Sequence, residues 1–449
     1  MLSAFANSFK IPELRKRILF TLGLIFICRV VTAVPTPFVN AKALADAIAE
    51  MQRRAGGGFI GWIDLFSGGA LSQCAIGALS IWPYISASIV LQLMTAIIPA
   101  LERLAREGEP GRQKINQYTR YLTIVICVVQ GYFLAWGLEN PGQLGVHQKI
   151  VESTGLGFRL LTVMTMTTGT MLMMWLGEQI SERGIGNGIS IVITVNIVSR
   201  LPVAAIQAAN MFRRIGDEAG PSVFHLIALV MLIFLVTAGT IALTQGQRRV
   251  TIHTAKRVVG RKVYGGQNTY MPLRVNYSGV MPIIFAGALL MFPAALIGKL
   301  PWDWAKTVAA AFGMGGALYL TAYGAMILFF SYFWVATQFN PLQVADDLKR
   351  NGGYVPGVRP GRPTAEYLDK TMTRITLIGA IALTVIAVIP TVLTTQFGIP
   401  WIVAGFMGGT SQLIVVGVML DTMRQVESHL LMRHYDGFLR RGHRLRGRA

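Results

Sequence analysis

Charge is scarce in this chain. Of 449 residues only 14% are Asp, Glu, Lys or Arg, and 21 acidic residues stand against 41 basic ones. A soluble enzyme needs a more heavily charged surface to stay hydrated, so that class is excluded. Cysteine is scarce too. Cys28, Cys74 and Cys127 show no paired spacing, which excludes a disulfide framework, a thiolate metal knot and redox chemistry. No GxxxxGK[ST] phosphate loop and no His or Cys cluster with metal-ligand spacing occurs, so the chain carries no nucleotide motor and no metal centre of its own. With no catalytic constellation visible, no enzymatic activity, catalytic residue or cofactor is expected.

What is abundant is apolar length. Hydrophobic residues make up 53% of the chain and mean hydropathy is +0.51. Crossing a hydrocarbon core of about 30 Å takes about 20 apolar residues. Runs of that kind lie near 17–36, 76–98, 118–138, 158–180, 188–208, 222–243, 277–298, 313–337, 374–395 and 401–421. These ten runs predict an all-α polytopic membrane protein. The first is read as a retained helix rather than a cleavable leader, because it holds Arg29 and runs into Pro35 and Pro37 without a small-residue cleavage pattern. Near the centres of the runs only Arg29 and Arg200 are charged, with no Asp or Glu, and of six histidines only His225 lies near one. Ion-coupled carriers keep titratable groups in the membrane, so coupling to protons is disfavoured and any driving energy must come from a partner.

The basic surplus sets orientation. Most Lys and Arg fall on one side: Lys10, Arg15, Lys16 and Arg17, the loops near 99–120, 244–275 and 338–374, Arg183, and the tail after Arg424. By the excess of Lys and Arg on cytoplasmic loops, that side and both termini face the cytosol.

The chain also repeats itself. "GIGNGISIVI" from Gly184 lies over "GFMGGTSQLI" from Gly405, pairing Gly188 with Gly409, Ser190 with Ser411 and Ile193 with Ile414. "IWPYI" from Ile81 lies over "VMPII" from Val280, pairing Pro83 with Pro282 and Ile85 with Ile284. Five spans followed by five inserts the second copy upside down, and inverted repeats place their pathway at the interface between copies. Ile81, Ile85, Ile193, Ile284 and Ile414 are then candidates for a ring of branched aliphatics. Such a ring blocks ions by dewetting and offers no polar site to bind them, which suits a gate better than a binding pocket. Taken singly, each isoleucine reads as ordinary packing against lipid or a neighbouring helix; only their convergence points to a ring.

Before the second span comes the glycine-rich "GGGFIGWIDLFSGGALSQCAIG". Phe66, Ser67, Gly68, Gly69, Ala70 and Leu71 form either a short re-entrant piece lying in the pathway or an ordinary extracytosolic loop; irregular backbone at membrane depth must be buried in protein or line a cavity. Ser86, Ser88, Gln92, Gln130 and Asn276 supply either hydrogen bonds between helices or a seam able to part. Two long loops have character of their own. The 244–275 loop alternates apolar and basic residues, predicting a projecting β-hairpin, and the other reads as a helix from Pro341 followed by a Gly- and Pro-rich tip around Arg359.

Over essentially its whole length the sequence resembles the SecY family of protein translocons. The match is carried by "FSGGALS" from Phe66, "PYISASI" from Pro83, "EGEPGRQKINQYTRY" from Glu107, "GEQISERGIGNGIS" from Gly177, "AKRVVGRKVYGGQ" from Ala255, "NPLQVADDLKRNGGYVPGVRPG" from Asn340 and "GGTSQLIVV" from Gly408. The resemblance implies two inverted five-helix halves closing as a clamshell on an hourglass pore. Residues 1–210 form one half, with a plug at 61–74. Residues 211–421 form the other, with cytosolic loops 244–275 and 338–373, and 422–449 is a basic tail.

Carried over by position, the pore ring is Ile81, Ile85, Ile193, Ile284 and Ile414, and the plug holds Phe66, Ser67, Gly68, Gly69, Ala70 and Leu71. The lateral gate is lined by Gln92 and Asn276. Lys256, Arg257 and Arg359 dock the translating ribosome or the motor ATPase SecA. The resemblance further implies small SecE and SecG subunits, signal peptides and nascent polypeptides as cargo, contact with lipid, and residence in a bacterial cytoplasmic membrane. Gln412 departs from the usual apolar pattern two residues before the ring position, predicting a more polar seal there. The rival readings are a small-solute carrier, supported only by the repeat, and a membrane-embedded enzyme.

Overall fold

In a computed structural model, residues 11–54, 58–141, 150–213, 223–254, 257–259, 262–264, 268–297 and 316–442 are described. The chain separates into two compact units. The first comprises 1–210 with 400–403 and 414–449, the second 211–399 with 404–413.

In the first unit, α1 (Pro12–Ala33), α2 (Ala41–Arg54), α3 (Gly58–Ser67), α4 (Trp82–Ile97), α5 (Pro99–Arg106), α6 (Glu109–Glu139), α7 (Leu156–Arg183), α8 (Gly188–Ser199) and α9 (Leu201–Arg213) follow in order. Proline stands in the first turn of α1, α4, α5 and α6, where a missing N–H costs no helical bond. α4 packs on α6, α6 on α7, α7 on α1 and α8, and α3 on α8. Ion pairs bind α6 to α7 at both ends: Arg159 donates to Glu139 at 2.6 Å, and Arg120 grips Glu178 with two bonds of 3.1 and 2.8 Å.

Two of its apolar clusters bear on the site. One gathers Leu44, Ile48, Leu71, Leu138, Phe158 and Met166. The other gathers Cys28, Ile81, Met173, Leu176, Ile180 and Val192.

The second unit holds α10 (Val223–Gln245), β1 (Gln247–Thr254), β2 (Arg257–Val259), β3 (Lys262–Tyr264), β4 (Asn268–Arg274), α11 (Met281–Ile297), α12 (Ala317–Gln338), α13 (Pro341–Arg350), β5 (Gly353–Tyr354) and α14 (Arg362–Phe397). The alternating loop does form antiparallel ribbons: β1 pairs with β4 from Gln247 opposite Arg274 to His253 opposite Asn268, and β2 pairs with β3. β5 adds to the free edge of β1. The expected helix starts at Pro341, with the Asn340 side chain accepting from Gln343 N–H at 3.3 Å. Val250, Leu273, Val355, Leu368 and Met372 fix this ribbon and tip onto α14. Leu368 is fully buried there. Leu368→Ala is expected to destabilise the unit by about 2–5 kcal/mol, read as earlier thermal inactivation of the purified protein.

α15 (Trp401–Met407) and α16 (Gly409–Gly442) close the chain, meeting at a 44° bend. The tenth run is therefore a broken helix. α16 carries the basic segment after Arg424 on as helix to Gly442. The second run also starts later than its hydropathy suggests. Residues 68–81 form turns, and helix begins only at Trp82, because Cys74 and Ser80 adopt left-handed φ of 45° and 52°. Among the described residues six helices are long and apolar enough to cross a membrane, or up to eight if each of two bent pairs is one span.

The two sequence echoes occupy equivalent local positions. Gly188 and Gly409 each open a helix, and Pro83 and Pro282 each stand second in theirs, in α4 and α11.

Candidate functional site

The first unit brings together three of the five ring candidates. Ile81, Ile85 and Ile193 line one narrow cavity of about 10 Å³ with Ile63, Phe66, Ser67, Leu79, Ser80 and Trp82. That is about the room one water needs, and its lining is almost wholly apolar, so a water there would lack the polar partners that hold buried water. Ile81 enters it from the turn before α4, Ile85 from the first turn of α4, and Ile193 from mid α8. Ile81 is fully buried, while Ile85 and Ile193 are half-buried. Ile414 is buried in the first unit and Ile284 in the second, beside Ile283 in that unit's core.

The glycine-rich segment closes the cavity from one side. Phe66, Ser67, Ala70 and Leu71 are all buried, so the segment is interior structure and not a surface loop. The Phe66 ring lies 6.1 Å from that of Trp82, at the start of α4. On the segment's other flank Gly61 of α3 receives the Trp401 indole so closely that a Cβ there would sit 2.7 Å from it. Gly68 and Gly69 have φ of 66° and 89°, a conformation that side chains other than glycine's strain to adopt.

A polar network missed in the sequence surrounds this turn. Asp64 closes it from within. Its carboxylate accepts from Ser72 N–H at 3.0 Å, and its carbonyl accepts from Gly69 N–H at 2.9 Å and from the Ser67 hydroxyl at 3.1 Å. Arg200, between α8 and α9, binds the other Asp64 oxygen and donates to the Ser72 hydroxyl at 3.0 Å. Arg29 of α1 donates to Asn196 at 3.3 Å, and Asn196 donates to the Ser80 hydroxyl at 3.1 Å. The available signal was a charge or amide in apolar surroundings: Asp64 in "GWIDLF", Asn196 in "ITVNIV" and Arg29 in α1.

The remaining candidates lie apart from this cavity. Gln92 is exposed on α4, where its backbone carbonyl accepts from the Thr95 hydroxyl at 2.6 Å. Asn276 precedes α11 and accepts from Ser278 at 3.3 Å. Gln412 commits its amide N–H to Thr237 of α10 in the second unit, while its buried carbonyl oxygen has no partner among the described residues.

Arg359 is exposed at the tip between β5 and α14, where its carbonyl accepts from Thr364 at 2.8 Å. Exposed Arg248, Arg249, Arg274, Lys349 and Arg350 share its unit, and His253 stacks on Tyr354 at 5.9 Å where β1 meets β5. Arg257 begins β2, and Lys256 lies outside the described residues. Among the described residues no group of three His, Cys, Asp or Glu is placed to hold a metal.

Comparison with known proteins gives one answer. The SecY family model matches residues 75–423. The chain is 41% identical to protein translocase subunit SecY of Thermotoga maritima over the full length of both. It is 43% identical to the same subunit of Escherichia coli K12, over 96% of this chain and 94% of that one. Among solved structures, a SecY channel whose plug domain stabilises the closed state and maintains a membrane seal aligns over 92% of this chain and 91% of its own, with a TM-score of 0.60 and 17% identity. Sec61 in the canine ribosome-channel complex from the endoplasmic reticulum aligns over the same shares, with a TM-score of 0.56 and 14% identity.

Proposed function

The chain belongs to the SecY family of protein translocase subunits, and from that premise we propose how its residues conduct a polypeptide. It is a protein-conducting channel subunit, not an enzyme. One observation carries the reading: Ile81, Ile85 and Ile193 converge on one narrow, mostly apolar cavity that Phe66 and Ser67 of the 66–71 segment also line. Branched aliphatics make a seal that yields to a threaded chain without binding it, because they present no hydrogen-bond partners to the passing backbone. In the full reading, ten spans form two inverted halves, 1–210 and 211–421, with the basic segment 422–449 beyond them. Ile284 and Ile414 complete the ring of an hourglass pore, and Phe66, Ser67, Gly68, Gly69, Ala70 and Leu71 are the plug. The matching positions of Gly188 with Gly409 and Pro83 with Pro282 support the repeat.

Sideways release completes the function. Gln92 and Asn276 line a lateral gate whose weak polar contacts part to let a segment sample lipid. A central Leu or Ile contributes about −0.3 to −0.6 kcal/mol to insertion and a central charge costs about 2.5 to 3.5 kcal/mol, so the bilayer itself sorts the segments. Signal peptides and apolar stretches of the nascent chain leave into lipid, and polar stretches continue across.

The protein spans a bacterial cytoplasmic membrane with both termini in the cytosol. SecE and SecG accompany it. SecA or a translating ribosome docks on Lys256, Arg257 and Arg359 and drives the chain. The test is a series of segments with rising leucine content, presented to the reconstituted translocase. Protease protection should give way to lipid crosslinking over a narrow range of composition; crosslinking independent of composition would exclude lateral sorting.

A further inference from the structure

We propose that Asp64 and Arg200 form an ionic clasp that sets the energy of plug release. Together with Arg29 and Asn196 they make the 64–80 segment a latch with a defined threshold. The inference rests on the channel reading above and assigns gating residues within it.

The apolar contacts of the plug are poor locks. Phe66 lies against Trp82 and Leu71 packs in the apolar cluster with Leu44, Leu138 and Phe158, and an arriving apolar segment offers equivalent contacts in exchange. An ion pair behaves differently. Asp64 is 3% exposed, and the side chains of Arg200 and Asp64 in the pair are 17% and 4% exposed. When one partner leaves, the other loses its counter-charge in a poorly hydrated place, and only water or another charge can replace it. Apolar cargo cannot open such a contact by substitution. Hydration of the widened pore can.

The local geometry is arranged around this contact. A Cβ on Gly69 would lie 2.5 Å from Arg200 Cζ, and one on Gly68 would lie 2.7 Å from Arg29 Nη1. The two glycines therefore do more than permit a tight turn. They clear the surface on which both guanidinium groups rest. Asp64 meanwhile ties Gly69, Ser67 and Ser72 into one loop, so a pull on Arg200 is felt across the whole turn.

Beyond the end of α3 the segment's own backbone bonds are those of successive turns and not of a helix or a strand. Four of its residues, Gly68, Gly69, Cys74 and Ser80, have positive φ. Non-glycine residues in that region persist only where their surroundings impose them. Ser80 is held by Asn196, and the Cys74 carbonyl accepts from the Thr36 hydroxyl at 2.7 Å. Once the clasp opens, the segment gains backbone freedom by leaving, which makes release abrupt instead of gradual.

The test is a double-mutant cycle on the complete translocase in planar bilayers, reading ion conductance without cargo. Asp64→Asn and Arg200→Gln are each expected to raise the idle open fraction about tenfold, equivalent to about 1.4 kcal/mol, and the double variant should rise no further. Arg120→Gln, which breaks the equally charged pair with Glu178 away from the turn, should leave idle conductance unchanged and thereby separates unlatching from general loosening. Unchanged conductance in both single variants, additive effects in the double variant, or an equal rise in Arg120→Gln would each overturn the clasp. Cargo-driven translocation by the unmodified protein in the same bilayers keeps the two readings distinct. If it proceeds while the clasp variants stay silent, only the clasp fails; if it does not proceed, the channel reading fails.

Discussion

Ile85→Ala combined with Ile193→Ala is expected to raise ion leak during translocation by about tenfold or more, the ratio given by about 1.4 kcal/mol of lost barrier. The measurement belongs in the translocating state. In the proposed pathway a threaded polypeptide has then displaced the 66–71 segment, leaving the ring as the seal around the chain. Both side chains are half-buried and line the constriction, so their truncation widens the passage more than it empties a packed core. Alanine is also the best helix former, which protects α4 and α8 from unwinding. Ile85→Val with Ile193→Val should keep the seal, since branching and most of the volume survive. Leak unchanged in the alanine variant would show that these residues are not the barrier to ions.

Arg359→Glu is expected to abolish most partner-driven translocation while leaving the fold intact. The side chain is exposed, and its structural hydrogen bond is made by the backbone carbonyl to Thr364, so reversal disturbs what docks on the tip and not the tip itself. The milder Arg359→Gln separates the two kinds of partner. If the tip meets ribosomal phosphate, the slope of log affinity against log salt should become shallower by about one. If it meets a carboxylate of the motor, ribosome affinity should be insensitive to the change while motor-driven transport falls. Normal rates with both partners would remove Arg359 from the docking surface.

How far the site was legible depends on the range of the interaction that makes it. The 244–275 ribbon followed from a local period: apolar and basic residues alternate, and β1 and β4 pair in register. The start of α13 followed from Pro341, which suits a first helical position, and the structure adds the Asn340 cap. The 66–71 segment stood open between a loop and a buried re-entrant piece, because glycine content permits both and only neighbours distant in sequence decide between them. The clasp was illegible for the same reason. Asp64 and Arg200 are 136 residues apart, and Arg29 and Asn196 are 167 apart. No periodicity connects such pairs.

By itself the sequence determined what backbone chemistry and solvent enforce: apolar runs long enough for a bilayer, breaks at glycine and proline, and the sign of the exposed loops. Tertiary structure alone decided which isoleucines share a cavity, how little room lies between them, and which carboxylate meets which guanidinium. Hydrophobic burial constrains each helix by composition, whereas the width of a constriction and the partner of a buried charge are set by packing between segments that the chain joins only at a distance.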